Sequence, residues 1–275
     1  ESAFDGPYRG CGCAYPGYVS SGVVQRSNLI VEELRQAASD ADTPELLEWL
    51  RGLPPQLVAE IGDAACGWSR VGIVHGDVDN LAGWRLGIEA MEPPDTALRA
   101  TLGCSDPSDA NTFVEPTPRE QVLEWGRAAA VSGVLCTHTC LPYGQILSDA
   151  HAGSSGAMRG DSSGAATEGI NESALAIFNN GSAGMPNFEG ERGTGLVTRV
   201  SVDPQPPDDS VYGGMAGGLR FDAVQFSYDH DAWMTQFESR WPEGSAAHMS
   251  YYARLRSGPA SFTVRNAARD GTTLT

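Results

Sequence analysis

The stretch Val134-Leu135-Cys136-Thr137-His138-Thr139-Cys140-Leu141-Pro142 decides the reading of the chain. Small and β-branched apolar residues run into a histidine and a cysteine two positions apart, and a proline ends the run. Such a run reads as a buried strand that delivers two potential metal ligands to the loop at its C-terminal end, where α/β proteins place their chemistry. Imidazole and thiolate are both ligands for zinc and related ions, so His138 and Cys140 form a candidate half-site. A half-site needs partners from the rest of the chain.

Outward from this strand, helical and strand patterns alternate. Residues 118–130 read as a helix, with Glu120 and Glu124 early and Arg127 late, the charge order that the helix dipole favours. Residues 29–38 keep helical spacing, and Asp42-Thr43-Pro44-Glu45 opens a second helix that Gly52 and Pro54-Pro55 close. Residues 56–61 and 69–75 read as two strands around a turn, and a helix is expected from Asn80 or Leu81 to about Met91. Residues 174–178, 195–202 and 219–228 read as further strands, the last two separated by a turn-rich segment. Residues 232–240 read as a helix, and 248–256 as a strand or a helix. The interleaving predicts one α/β domain over residues 1–275. Within it, 1–25 form a loop-rich start, 149–172 a Gly/Ser-rich loop, and 203–275 a C-terminal extension packed on the same domain.

Composition narrows the function classes. The net charge is −17, and all 18 basic residues are arginine. An acidic chain of this kind disfavours nucleic acid and anionic membrane surfaces as partners. It would also repel a phosphorylated substrate unless a metal or a local arginine cluster reversed the field. No apolar run approaches the length of a membrane span. Six cysteines in 275 residues are no disulfide framework, and a reducing compartment is favoured.

Two further strand ends match the character of the first: Val71-Gly72-Ile73-Val74-His75-Gly76-Asp77, and Leu175-Ala176-Ile177-Phe178-Asn179-Asn180-Gly181-Ser182. If these strands are neighbours, His75, His138 and Cys140 converge at one sheet edge, and Gly76 and Gly181 let backbone approach a bound ion or ligand closely. Cys11-Gly12-Cys13 reads as a loop feature, His151 as a solvated loop residue, and His230 as part of a helix cap.

In order and spacing, Val74-His75-Gly76, Thr137-His138-Thr139-Cys140-Leu141-Pro142 and Asn179-Asn180-Gly181-Ser182-Ala183-Gly184-Met185-Pro186 resemble the motifs of the calcineurin-like metallophosphoesterases. The resemblance covers roughly residues 26–188 and rests on the ordered combination. It implies an α/β sandwich of two mixed β-sheets flanked by helices, with a two-metal site at the sheet edges. It also implies hydrolysis of a phosphomonoester or phosphodiester by water activated on a divalent metal (Mn, Zn or Fe). By that resemblance His75, His138, Cys140 and Asn28 are the metal-ligand candidates, with Cys140 standing where the family has a second histidine. Asn180 and Gly181 are candidate ligand contacts and Arg26 a candidate phosphate contact. The family's first motif, Asp-x-His, is absent, since the first histidine of this chain is His75. Gly62-Asp63 and Gly76-Asp77 come too late in the order to supply the bridging carboxylate, and Asp5 is a weak stand-in. Two accounts follow: a fold incomplete at its N-terminus, being part of a longer enzyme with a small phosphorylated substrate, or a degenerate member that serves protein partners as a scaffold.

Overall fold

The computed structural model describes residues 10–40, 44–64, 67–109, 111–148 and 174–275. The Gly/Ser-rich segment with His151, and also Asp5 and Cys66, lie outside the described residues. Two sheets form the frame. In chain order the elements of the first are helix α1 (Ser21–Asp40), helix α2 (Pro44–Arg51), strands β1 (Gln56–Asp63) and β2 (Gly67–Val74), helices α3 (Thr96–Leu102) and α4 (Arg119–Ala129), then strands β3 (Gly133–Cys136), β4 (Tyr143–Leu147) and β5 (Leu175–Asn179). Strands β6 (Thr194–Ser201), β7 (Ser210–Ala216) and β8 (Leu219–Ser227) follow, then helices α5 (His230–Arg240), α6 (Ala246–Ser257) and α7 (Val264–Ala267), and a short strand β9 (Thr273–Leu274).

The first sheet has the order β1-β2-β3-β5-β4. It is mixed: β2, β3 and β5 are parallel, while β1 and β4 run antiparallel at the two edges. Strands β3 and β5 read as near-continuous apolar sequence because both their faces are covered, while β2 is partly exposed. One face of β5 receives α4, where Gly126 leaves no room for a side chain beside Leu175. The other face receives the second sheet. That sheet, of order β6-β8-β7-β9, is antiparallel throughout, so the expectation of two mixed sheets is corrected for this one. Strands β6, β7 and β8 are joined by short or turn-rich connections, which antiparallel neighbours permit and parallel ones do not, and β9 is added after α5, α6 and α7.

Aromatic rings fill the gap between the sheets. Phe178 of β5 stacks on Tyr212 of β7 and Phe221 of β8, with ring centroids 6.2 and 5.8 Å away. All three rings are buried. Opposite them the first sheet is thinned: a Cβ on Gly133 would lie 2.5 Å from Phe221, and one on Gly144 would lie 2.7 Å from Phe178. In the second sheet the fully buried Asp222 accepts from Arg220 Nε at 2.8 Å, Arg199 Nη1 at 3.1 Å and Ser210 Oγ at 3.2 Å. A smaller cluster of Ile30, Phe237, Ala246, Ala247 and Leu255 holds α1, α5 and α6 together. No helix among the described residues is long and apolar enough to cross a membrane.

Three local expectations change, and one left open between strand and helix is decided. Helix α1 starts at Ser21, earlier than its apolar spacing indicates. The turn-rich segment before β8 contains β7, whose Gly213 and Gly214 weaken the strand signal. Residues 248–256 belong to helix α6, and Ser245 caps it by accepting the His248 N–H. Residues 81–91 form successive turns rather than a helix. The cause is two buried carboxylates, Asp77 and Glu89. Asp77 accepts the Leu86 N–H, and Glu89 accepts the Tyr18 hydroxyl at 2.9 Å. The backbone must fold around both groups. Gly83 and Gly87 stand where a Cβ would collide with these carboxylates.

The inter-sheet contact gives a stability test. Phe221→Ala is expected to lower stability by about 3–5 kcal/mol, as for other buried aromatic truncations, and Gly133→Ala by about 1–3 kcal/mol through overpacking. Urea unfolding measures both; a loss under about 0.5 kcal/mol for both variants would mean that these rings do not hold the sheets together.

Candidate functional site

Parallel pairing of β2, β3 and β5 brings their C-terminal ends to one edge. The backbone continues the ladder past each strand: His138 N–H donates to His75 O at 2.8 Å, and Asn180 N–H donates to Cys136 O at 3.2 Å. His75, His138 and Asn180 therefore leave three adjacent strands at the same level. Gly76 follows His75 because the returning chain crosses there; a Cβ would lie 2.6 Å from Leu81 O. Gly181 has φ 71°, in the left-handed region, and a Cβ there would strike the Asn187 carboxamide.

The two histidines meet directly. His138 Nδ1 lies 3.0 Å from His75 Nε2, and the rings are set edge to face. His138 Nε2 lies 3.3 Å from the carbonyl oxygen of Cys13, which can only accept. The proton of a neutral His138 therefore sits on Nε2, Nδ1 is the lone-pair nitrogen, and His75 Nε2–H donates to it. Burial lowers the pKa of both imidazoles below the ordinary histidine value, and for His75 the neighbouring His138 lowers it further. At neutral pH the pair is uncharged.

A loop from the start of the chain closes over this pair. Trp84 Nε1 donates to the same Cys13 carbonyl at 2.8 Å, and the indole packs against His138 with ring centroids 5.3 Å apart. Asn28, on α1, accepts the Cys11 N–H at 2.9 Å, so its carboxamide oxygen holds the loop. Burial pushes the Cys13 thiol up to about 12, so it is not a thiolate near neutrality. Cys11-Gly12-Cys13 is thus a loop feature whose backbone serves the site.

Cys140 does not join the histidines. Its Sγ lies 3.5 Å from His138 O, its backbone is left-handed at φ 60°, and burial raises its pKa although Arg254 opposes the shift. Arg254 Nη2, from α6, donates to the Cys140 carbonyl at 2.6 Å and holds that turn. Gly181 shapes its loop rather than offering backbone to a ligand: its N–H donates to Asn179 Oδ1, and its carbonyl accepts from Thr137 Oγ1, both at 2.8 Å. Arg26 Nε donates to Ser250 Oγ at 2.9 Å on α6.

As a test of metal fit, two imidazole nitrogens 3.0 Å apart suit two neighbouring ligands of one ion, given metal–nitrogen bonds of about 2.0–2.1 Å. The Cys13 carbonyl fixes the His138 tautomer with Nδ1 open, as partners behind metal-bound histidines do. His75 would have to move its proton to Nδ1. No group of three or more His, Cys, Asp or Glu arranged to hold a metal ion is found among the described residues. The donor set fits half of one ion's shell, not a two-metal cluster.

Asp77, two residues past His75, is buried and spoken for: it accepts from Leu86 N and pairs with Arg85 at 3.4 Å. The roles of Cys13, Trp84 and Arg254 were not read from sequence. The loop pattern around Cys13 was visible, but a backbone carbonyl carries no side-chain signature. Trp84 and Arg254 approach from segments with no motif of their own.

No protein-family model matches the chain, and no curated protein is significantly similar to it. A solved structure that it resembles is a hypothetical protein, PH1004, from Pyrococcus horikoshii OT3. Identity is 14%, the TM-score is 0.39, and the likeness covers 90% of this chain and 69% of that one.

The lowered imidazole pKa values carry a pH signature. Where a base has a folded pKa below its ordinary value, the unfolded chain takes up more protons. Stability is then lost as pH falls through about 6.5 towards the folded values, and is fully present above that window. Urea midpoints measured between about pH 7.5 and about pH 5.5 should fall less steeply for His75→Gln than for the native chain. Equal slopes would rule out coupled, depressed titration of the pair.

Proposed function

We propose that this chain is a divergent, metal-assisted hydrolase of the metallophosphoesterase type, acting on a phosphomonoester or phosphodiester. The observation that carries the reading is the approach of His75 Nε2 and His138 Nδ1 to 3.0 Å at one sheet edge, from residues 63 apart in sequence. In this reading the two nitrogens hold one divalent ion (manganese, zinc or iron), and His138 is oriented through its Nε2–H on the Cys13 carbonyl. The ion would supply Lewis acidity towards a phosphoryl oxygen and lower the pKa of water. Asn180, at the end of the adjacent strand, is the substrate-contact candidate at that edge. Trp84 and the 10–16 loop keep bulk water from one side of His138, which strengthens the electrostatics at the pair.

A second reading is favoured by a different observation. Among the described residues no third His, Cys, Asp or Glu completes a metal-binding group. A catalytically degenerate scaffold that engages protein partners would keep the frame and the histidine pair without a functional ion.

Metal analysis and turnover separate the two. After dialysis against manganese or zinc, the native chain is expected to retain metal, and His75→Ala to lose it. With manganese added, hydrolysis of p-nitrophenyl phosphate or its bis-ester is expected, with kcat/KM reduced at least about a hundredfold by His138→Ala, since indirect partners of metal ligands already cost 10–100-fold. Absence of both metal and turnover in the native chain would leave the scaffold reading.

A further inference from the structure

The chain carries a net charge of −17, so an anion needs a local reversal of the field to approach it. One cleft, about 720 Å³ in volume, provides such a reversal. Arg254, Arg256, Ser250, Ser257 and Tyr252 of α6 line it, with the exposed Glu189 as the carboxylate in the lining. Ser250 and Arg254 are four residues apart on the helix, so they share a face. Across from them Arg26 Nε donates to Ser250 Oγ, adding a third guanidinium to the neighbourhood. Arg256 lies over the Tyr252 ring at 5.7 Å.

Arg254 is the unusual member. Burial makes its charge costly and lowers its pKa below the ordinary arginine value. Cations in such positions are normally paired with a carboxylate. Arg254 has none among the described residues: Nη2 donates to the Cys140 carbonyl, and Nε is buried without a hydrogen-bond partner. A half-buried guanidinium with an unpartnered Nε, beside a second arginine and the hydroxyls of Ser250, Tyr252 and Ser257, suits a phosphoryl group, whose oxygens accept from several donors at once.

We propose that the α6 cleft is an anion subsite that binds a phosphoryl group of the substrate, with Arg254 and Arg256 as its cationic contacts. The identification of the anion as a substrate phosphoryl rests on the phosphoesterase reading; the anion site itself does not. Arg254 also touches the turn that follows His138, through the Cys140 carbonyl.

The test uses inorganic phosphate and the full chain stripped of metal with EDTA. Calorimetric titration at fixed ionic strength should show saturable binding that chloride does not reproduce. Arg254→Gln and Arg256→Gln should each weaken it at least about tenfold, the effect of losing one charge-assisted hydrogen bond. Arg254→Gln also removes the contact to Cys140, so Arg256→Gln and Ser250→Ala, which leave that contact in place, decide the matter if it fails to fold. His75→Ala should bind phosphate as the native chain does. Phosphate binding no stronger than chloride, or equal in native protein and Arg256→Gln, would overturn the proposal. Binding that requires manganese and is lost in His75→Ala would also overturn it while leaving the phosphoesterase reading intact. Binding in EDTA without turnover on any phosphoester would support the anion site and count against the hydrolase reading alone.

Discussion

The contact on which the rest of this structure depends is the layer of rings between its sheets. Phe178 reaches from β5 to Tyr212 and Phe221, and Gly133 and Gly144 let those rings lie against the backbone of the first sheet. Burying large rings against glycine gives close packing over a small area, where dispersion and hydrophobic transfer act together. It also fixes the height of β3 and β5 relative to the second sheet. On the opposite face α4 approaches β5 at Gly126 for the same steric reason. Strands β3 and β5 are thereby clamped from both sides, and β2 pairs along the edge of β3.

What stands at the C-terminal edge of β2, β3 and β5 is a coupled set of hydrogen bonds rather than a row of independent side chains. The carbonyl of Cys13 selects the His138 tautomer, and His138 in turn selects that of His75. Trp84 binds the same carbonyl, and Asn28 holds the loop that carries it. Each partner comes from a different part of the chain. Moving the 10–16 loop would therefore change the protonation pattern of two histidines that it does not follow in sequence. The turn after His138 is held likewise from a distance, by Arg254 of α6 acting on a left-handed Cys140.

Charge is distributed with the same economy. Asp222 is fully buried but receives two arginines and a serine, so its burial is compensated within one sheet. Asp77 is buried with Arg85 and a backbone N–H beside it. Arg254 departs from this rule. So does Arg99, which is buried on the Cys104 and Val114 carbonyls. Arg254 differs in lining a cleft beside Arg256, and that placement is what asks for an anion.

Much of the frame was legible in the sequence, because strand and helix patterns are short-range. The apolar run of β5, the hairpin of β1 and β2 around its turn, and the dipole-matched charges of α4 depend on neighbours within a few residues. That His75, His138 and Cys140 would share an edge was conditional on their strands being neighbours, which is tertiary; the pairing of β2 with β3 meets that condition for the two histidines. Residues 81–91 were misread as a helix because what breaks it, two buried carboxylates wrapped by glycines, is tertiary. Cys140 looked like a ligand by its spacing from His138, but spacing says nothing of a left-handed turn that takes the thiol away from the imidazoles. The sequence by itself determined the alternation of elements and the residue types at the edge. Only the tertiary structure decided which nitrogen of His138 carries the lone pair, which ligands fail to assemble and that Arg254 lies without a carboxylate beside a cleft. Tautomer, coordination and desolvation are set by groups close in space, and here those groups lie up to 125 residues away along the chain.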